Sequence, residues 1–327
     1  MGSDGLGLLG FDPDVIVAYD AQSPAGWHGA RCARRLGVPL VAVEEGVAAT
    51  RGTAGRLLRR SASWMWGAQV RRSVSRLVAL DVVARAQAIQ QGYNVDQVEV
   101  LAPGTDLSRY RPGLRSEMLA RHGVRGHALL VTSPLEEGRG LEPVLEAFAR
   151  TVGRREDWAL VFAGNGPYRA ALRAHAARLG VGAHVHWIGA PRDEELPGLM
   201  SASTLLLVPG VDSATAARHL RLAMAAGLPA LAEDEPRYAE MVEDDGSGLL
   251  VQRGAVEPSG GDWIRALEHA ARAPRARERW GERARELAEE RLAWPRIAAR
   301  FAEMLQDVVA AEPEPEPSRL GLLRRRA

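Results

Sequence analysis

The fold is decided most clearly by residues 158–180, which read WALVFAGNGPYRAALRAHAARLG. Residues 158–163 are apolar without interruption, which is typical of a strand buried on both faces of a sheet. A glycine-containing loop over residues 164–167 follows, and residues 168–179 have the length and pattern of a helix that ends at Gly180. This stretch therefore predicts one strand–loop–helix unit of a parallel sheet.

The same alternation of strand and helix extends from this unit toward both ends of the chain. Further apolar strands are predicted at residues 14–19, 38–43, 77–80, 98–101, 128–132, 184–188, 205–208, 229–232 and 248–251. Helical patterns lie between them at residues 26–36, 54–76, 82–91, 141–152, 193–201, 215–226 and 238–242. The strands form two sets separated near residues 104–112, so the sequence predicts two parallel-sheet domains.

Helices without strands are predicted after the second set. They cover residues 262–273, residues 275–292 and a last amphipathic segment that reaches about residue 309. The repeated Glu-Pro of residues 311–317 predicts an extended, solvated tail, because it cannot bury apolar area. The final Arg324–Arg326 is expected to be disordered, with binding to anionic lipid as the alternative.

The charged residues narrow the chemistry that the chain can perform. Its 42 basic and 41 acidic residues leave a net charge of +1, which provides no field to attract nucleic acid, and we expect no such partner. No lysine is present, so neither a Schiff base nor a P-loop ammonium can form. Any phosphate must therefore be bound by arginine, by backbone N–H groups or by a helix N-terminus.

The cysteine and histidine content predicts neither a disulfide nor a metal site. Cys32 is the only cysteine, and His184 and His186 alternate on a predicted strand without a third ligand nearby. We therefore expect no metal and no cofactor. No N-terminal stretch has the pattern of a signal peptide, and no run approaches the roughly 18 apolar residues of a membrane span. The expected location is cytoplasmic, at most peripheral to the inner face of the membrane.

A series of short motifs follows these elements in a fixed order. They are Pro-Gly-Thr-Asp within residues 100–112, LEEGRGL from residue 135, FAGNGPYR from residue 162, WIG from 187, EELP from 194, AMAAGLP from 223, GSGLLV from 246 and WPRIA from 294. Each string alone is weak, but the ordered series covers about two thirds of the chain and resembles glycosyltransferase family 4 and its GT-B relatives. Residues 11–100 resemble the later strands of the acceptor domain of that family.

The resemblance implies an α/β, GT-B-like fold, in which two Rossmann-like parallel-sheet domains face a cleft and the N-terminal domain is incomplete. It assigns residues 1–104 to a partial acceptor-side domain and residues 105–290 to the domain that binds the donor nucleotide. Residues 291–310 become a helix that returns toward the N-terminal domain, and residues 311–327 a disordered tail.

The resemblance also implies which residues bind the donor, a nucleotide-activated sugar. Relatives use an arginine and a lysine five residues apart to bind the diphosphate, and the matching positions here are Pro134 and Arg139. Arg139 retains the charge and can bind phosphate bidentately, whereas Pro134 has neither charge nor N–H. Further donor contacts are implied for the glycine loop, which consists of Gly164, Asn165, Gly166 and Pro167.

The acidic residues that relatives place before the AMAAGLP motif are missing. Two glutamates with seven residues between them would fall at Ala214 and Leu222, so the resemblance identifies no catalytic residue. A shifted loop that offers Asp212 or Ser213 is one alternative. Our preferred interpretation makes Ser213 or Thr215 the N-cap of the following helix, whose dipole is still available for phosphate.

The acceptor half departs from the family as well. Gly104, Thr105 and Asp106 are expected at the cleft, and Glu45 is a candidate acid or base, with an ordinary solvated carboxylate as the alternative. Because a shortened sheet would expose an apolar edge or face, we expect a partner subunit to cover it, or the exposure to be tolerated.

Residues 56–72 combine arginines with Trp64 and Trp66. One interpretation is a basic, aromatic helix that lies on an anionic bilayer. The preferred alternative is a helix whose tryptophans face the sheet while its arginines extend to solvent.

The sequence therefore favours a retaining glycosyltransferase that moves a sugar from a UDP- or GDP-sugar to an unidentified acceptor. A lipid-linked or polysaccharide glycan of the cell envelope is the expected acceptor class. The first alternative is a degenerate, non-catalytic GT-B protein that acts as a binding or scaffolding subunit, as Pro134, Ala214 and Leu222 suggest. A sugar-nucleotide epimerase of GT-B fold is weaker, since the same carboxylates are missing. A dinucleotide dehydrogenase is disfavoured, because no Gly-x-Gly-x-x-Gly follows a strand with an acidic residue about 20 residues later.

Overall fold

The structure is a computed structural model that describes residues 11–21, 23–46, 67–210, 214–252 and 261–311. The chain divides into two compact units, one of residues 1–102 and 295–327 and the other of residues 103–294. Each unit is built on a parallel sheet, which confirms the predicted α/β fold with two Rossmann-like domains. The predicted C-terminal tail and most of the basic, aromatic segment lie outside the described residues.

The sheet of the first unit has four parallel strands in the order β1-β2-β3-β4. The strands are β1 (Ile16–Tyr19), β2 (Leu40–Glu44), β3 (Val74–Ala79) and β4 (Val98–Val100), with the helices α1 (Pro24–Leu36), α2 (Ala68–Ser73) and α3 (Val82–Gln90) between them. Polar side chains cap the longer helices, since Ser23 accepts a hydrogen bond from the Gly26 N–H at 3.2 Å and Asp81 accepts one from the Ala84 N–H at 2.8 Å.

One predicted boundary in this unit is wrong. The arginine-rich helix was expected to continue to residue 76, but β3 already begins at Val74. Val74 and Leu77 are buried in the core of the sheet, and the Arg76 guanidinium donates to the Asp96 carbonyl at 2.8 Å. The buried, β-branched Val74 therefore ends the helical pattern at Ser73 and begins a strand.

The sheet of the second unit has six parallel strands in the order β10-β9-β8-β5-β6-β7. In chain order its elements are α4 (Glu117–Arg121), β5 (His127–Val131), α5 (Leu141–Arg150), β6 (Trp158–Phe162), α6 (Arg169–Arg178), β7 (Val185–Trp187), α7 (Leu196–Ala202), β8 (Leu205–Val208), α8 (Ala214–Ala225), β9 (Ala230–Glu233), α9 (Pro236–Ala239), β10 (Gly248–Val251), α10 (Gly261–Arg272) and α11 (Pro274–Arg291).

The order of these strands reverses direction at β5. The chain moves outward from β5 to β6 and β7, then returns to place β8 on the other side of β5. In open parallel sheets, ligands bind outside the carboxyl ends of the strands at such a switch point. A core that includes Leu129, Phe148, Trp158 and Leu207 fixes the strands on both sides of it.

A last helix, α12 (Trp294–Ala311), belongs to the first unit from Pro295 onward. Its buried Met304 and Val308 pack against Val41, Val43 and Val78, on the face of the sheet opposite to α1 and α3. Arg300 also forms an ion pair with Glu99, with an N–O distance of 2.8 Å. Over the part of the chain that the structure describes, no helix combines the length and apolar character that a membrane crossing requires.

Candidate functional site

The candidate site lies at the switch point of the second sheet, where three loops leave the ends of β5, β6 and β8. The loop after β5 begins at Thr132, the loop after β6 contains Gly164, and the loop after β8 begins at Pro209. Because β6, β5 and β8 are neighbouring parallel strands, these loops emerge side by side at one edge of the sheet.

The loop after β6 packs directly on the loop after β5. The Leu135 N–H donates to the Asn165 carbonyl at 3.0 Å. A Cβ on Gly164 would lie 2.0 Å from the carbonyl oxygen of Ser133, and one on Gly166 would lie 2.1 Å from the carbonyl oxygen of Leu135. Only glycine permits this close backbone approach, so the predicted glycine loop has a structural reason of its own.

The loop after β8 crosses the same β5 loop on its other side. A Cβ on Gly210 would lie 2.2 Å from the Arg139 oxygen, and Gly210 has a φ of 82°. Gly140, the residue before α5, has a φ of 70°, and a Cβ there would lie 2.9 Å from the Gly210 nitrogen. Two glycines in left-handed conformation thus fix the backbone on which Arg139 is carried.

These crossings enclose a pocket between β5 and β8. Its lining consists of Thr132, Ser133, Arg139, Leu207, Val208, Pro209 and Ala216. It combines two hydroxyl side chains, one guanidinium and the first turn of α8, whose N–H groups carry partial positive charge. This combination of donors is suited to a phosphate group.

Arg139 has a carboxylate partner in its own loop. Its Nε and Nη2 lie 3.1 and 2.8 Å from Oε2 of Glu136. Both side chains are partly exposed, at 26% for Arg139 and 42% for Glu136, so dissolved anions can reach the pair from solvent. An anion that enters the pocket can therefore share the guanidinium with Glu136 or displace it.

The predicted donor residues differ in where the structure places them. Arg139 lines the pocket, whereas the Asn165 side chain is directed toward Gly189, whose Cβ position lies 3.6 Å from Asn165 Oδ1. Pro167 is exposed at the end of the glycine loop. Their contact with a donor stays a prediction.

The predicted N-cap of α8 is corrected in part. Thr215 is the second residue of the helix, since α8 begins at Ala214, so it cannot be the cap. Ser213 and Asp212 lie outside the described residues. Leu222 is buried in the same helix at 7% exposure, so this position contributes packing to the fold.

The residues expected at the cleft form a compact turn of the second unit. The Thr105 N–H donates to the Leu292 carbonyl at 2.7 Å, and a Cβ on Gly104 would lie 2.5 Å from Cδ2 of Trp294. Asp106 accepts hydrogen bonds from the Ser108 hydroxyl at 2.6 Å and from the Ser108 N–H at 3.0 Å, and these contacts, led by the hydroxyl, hold its pKa below the usual value. Their role at a cleft stays a prediction.

Glu45 lies in the first unit, exposed and directly after β2. Its assignment as an acid or base stays a prediction. Within the described ranges, no group of three or more His, Cys, Asp or Glu side chains could hold a metal ion.

Three polar residues at the site were not predicted from the sequence. Thr132 and Ser133 directly follow the buried strand β5, which is the position where parallel sheets present ligand-binding side chains. His219 lies one helical turn after Ala216, and its Nδ1 is 3.4 Å from the Thr132 carbonyl oxygen. No local pattern in the sequence marks His219, because its approach to Thr132 depends on how α8 packs in the folded chain.

His219 is expected to make folding stability depend on pH. Burial lowers its pKa, and the positive charge of Arg218 acts in the same direction, while the hydrogen bond with Thr132 opposes both. As the pH falls below the ordinary value of 6.5, the unfolded chain takes up a proton that the folded chain does not, so stability decreases. The His219→Gln variant should show a smaller loss of Tm than the parent between about pH 7.5 and about pH 5.5.

Two other histidines leave a residual pH dependence in that variant, since burial also lowers the pKa of His127 and His186. An identical loss of Tm in the parent and in His219→Gln would show that His219 is not desolvated in the folded chain.

Comparison with known proteins shows which families this geometry resembles. Residues 126–287, which contain the six-stranded sheet from β5 to β10 and most of α11, match the family model described as "Glycosyl transferases group 1". The D-inositol 3-phosphate glycosyltransferase of Rhodococcus erythropolis is 30% identical over 254 residues, which are 73% of this chain and 56% of the relative. A GDP-mannose-dependent alpha-mannosyltransferase of Mycobacterium tuberculosis is 29% identical over 267 residues, which are 80% of this chain and 66% of the relative.

The chain thus spans little more than half the length of the first relative and just under two thirds of the second. Among solved structures, Anabaena Alr3699/HepE in complex with UDP superposes with a TM-score of 0.75 at 20% identity, over 92% of this chain and 80% of that chain. That likeness concerns the fold. Residues 126–287 therefore resemble the group 1 glycosyl transferases, and the two Rossmann-like, parallel-sheet domains of the chain have a GT-B-like fold.

Proposed function

We propose that this chain is a glycosyltransferase that binds a UDP- or GDP-sugar in the pocket between β5 and β8. One observation carries the proposal: the guanidinium of Arg139 and the first turn of α8 line the same pocket at the switch point of the sheet. A diphosphate in this pocket would meet cationic, hydroxyl and backbone N–H donors together.

The chemistry of sugar transfer requires this kind of pocket. As the bond between the anomeric carbon and the diphosphate breaks, negative charge grows on the leaving diphosphate. In the proposed mechanism, the Arg139 guanidinium and the dipole of α8 stabilise this charge, and the hydroxyls of Thr132 and Ser133 donate hydrogen bonds to it. The pair with Glu136 holds the guanidinium at the pocket until phosphate oxygens replace the carboxylate.

The relatives support the choice of donor and acceptor classes. One is a GDP-mannose-dependent mannosyltransferase, one transfers sugar to D-inositol 3-phosphate, and the superposed Anabaena structure contains UDP. We propose by analogy a nucleoside-diphosphate sugar as donor and a hydroxyl of a phosphorylated polyol or glycan of the cell envelope as acceptor. Retention of the anomeric configuration and a location in the cytoplasm, peripheral to the membrane, are part of the same proposal.

The second candidate is a non-catalytic GT-B protein that serves as a binding or scaffolding subunit. It is favoured by the apolar side chains at Ala214 and Leu222, where the family resemblance places glutamates. Losing a carboxylate that accepts from hydroxyl groups costs about 1.5–3 kcal/mol per charge-assisted hydrogen bond. The two candidates differ in whether the pocket binds nucleotide.

Calorimetric titration with UDP, GDP, UDP-glucose and GDP-mannose tests the proposal. We expect micromolar affinity for at least one of the four nucleotides. Arg139→Ala is expected to weaken this affinity by about 10-fold to 100-fold, because it removes a charge-assisted contact with phosphate. The matched control is Arg150→Ala, since Arg150 is exposed at the other end of helix α5.

The control variant should bind like the parent. Absence of binding at millimolar concentrations of all four nucleotides would contradict the enzyme and favour the scaffolding subunit. If Arg139→Ala and Arg150→Ala changed nucleotide affinity equally, the diphosphate would not bind in the pocket that we describe.

A further inference from the structure

Glu233, the last residue of β9, is a buried carboxylate at the site that the proposed mechanism does not use. It is 6% exposed, and it follows three strand residues that are all apolar and buried. A carboxylate in such surroundings is unfavourable unless polar groups around it compensate its charge, whereas an apolar side chain would pack there without this requirement. Its presence therefore calls for a local explanation.

The strand register places Glu233 beside the pocket. Val208 of β8 pairs with Ala232 of β9, so Pro209, the first residue after β8, lies beside Glu233, the last residue of β9. Side chains alternate along a strand, and Leu231 belongs to the core on the face covered by α5. Glu233 is therefore on that face as well, beneath the start of α5.

A contact with the backbone of the Arg139 turn follows from this placement. A Cβ on Gly140 would lie 3.2 Å from Oε1 of Glu233, so the carboxylate lies against Gly140 itself. Gly140 is the N-cap of α5 and has no side chain to cap the helix. A carboxylate near an uncapped helix N-terminus is electrostatically favourable, because the first N–H groups carry partial positive charge.

We propose that Glu233 is a positioning residue for Arg139. Its carboxylate holds the turn at Gly140 from below, and this turn directs the guanidinium into the pocket between β5 and β8. Glu233 acts on nucleotide only through Arg139, and it does not contact the donor. This inference rests on the proposed function for its nucleotide readout, but not for its structural readout.

A double-mutant cycle separates positioning from a merely structural role. Glu233→Gln, which keeps the shape and removes the charge, is expected to weaken nucleotide affinity by about 10-fold in the parent chain. In the Arg139→Ala background the same change is expected to have no further effect, because the group that Glu233 positions is already gone. The control is Asp234→Asn, the exposed next residue, which should leave affinity unchanged in both backgrounds.

Hydrogen exchange without nucleotide gives the second readout. The amides of residues 136–141 are expected to exchange faster in Glu233→Gln than in the parent or in Asp234→Asn, while the core strand β6 stays protected. Faster exchange of this turn in Glu233→Gln, together with no nucleotide binding by the parent, would contradict the proposed function. It would still support the structural role of Glu233 in holding the turn. Additive effects on affinity in the cycle, tighter nucleotide binding by Glu233→Gln, or unchanged exchange of the turn would each overturn the positioning role.

Discussion

Alanine in place of Gly210 is expected to weaken nucleotide binding by the second unit more than any other substitution considered. The added Cβ would lie 2.2 Å from the Arg139 oxygen, so the loop after β8 and the turn that carries Arg139 must separate. A φ of 82° adds strain of about 1–2 kcal/mol for any residue with a side chain. We expect affinity to fall by at least about 100-fold, since a displacement of about 1 Å at a binding group has effects of this size. Calorimetric titration of the variant measures it.

Gly180→Ala is the matched control for this substitution. Gly180 has a φ of 74°, and a Cβ there has no atom within 4 Å, so the variant introduces backbone strain without a clash. It should lose stability and keep its affinity. If Gly210→Ala bound nucleotide within twofold of the parent, the crossing of the two loops would have no role in the site.

The largest effect on stability is expected for Trp280→Ala. Trp280 is 1% exposed in the core of the second unit, and its Nε1 donates a hydrogen bond to the Asp245 carbonyl at 3.0 Å. Removing the ring leaves a cavity and an unpaired carbonyl, which together should lower the free energy of unfolding by about 3–5 kcal/mol. Urea denaturation followed by circular dichroism measures this decrease.

Trp294→Ala is the comparison, because Trp294 is 51% exposed and should produce a clearly smaller decrease. The first unit has a core of its own. The urea concentration at which this unit unfolds should therefore be unchanged in Trp280→Ala. Equal effects of the two tryptophan substitutions would contradict the packing that we describe around Trp280.

Much of the fold can be predicted from the sequence, because parallel strands buried on both faces are continuous apolar runs. The strand at residues 158–162 and the glycine loop after it are local features, and both lie where the pattern indicates. The start of β3 at Val74 could not be predicted this way. Arg71 and Arg72 are helical as predicted, but the tertiary contacts of the buried Val74 begin a strand directly after Ser73.

The site could be predicted only in part. Arg139 was identified by its position in a motif, but nothing local indicates that Glu233 lies against Gly140 or that His219 faces Thr132. Those contacts arise because β9 and α8 pack beside β8 and β5, and strand order is a property of the folded chain. The sequence could not choose between Ser213 and Thr215 as the cap of α8, since N-cap preference does not distinguish neighbouring polar residues, and the structure excludes only Thr215.

The proposed function and the role of Glu233 in nucleotide binding both require that a diphosphate occupies the pocket between β5 and β8. A crystal structure of the chain with UDP or GDP tests it most directly. We predict phosphate oxygens within hydrogen-bond distance of the Arg139 guanidinium and the N–H groups at the start of α8, close to Thr132 and Ser133. Nucleotide bound at any other part of the second unit, with Arg139 still paired only to Glu136, would show that this pocket is not the donor site.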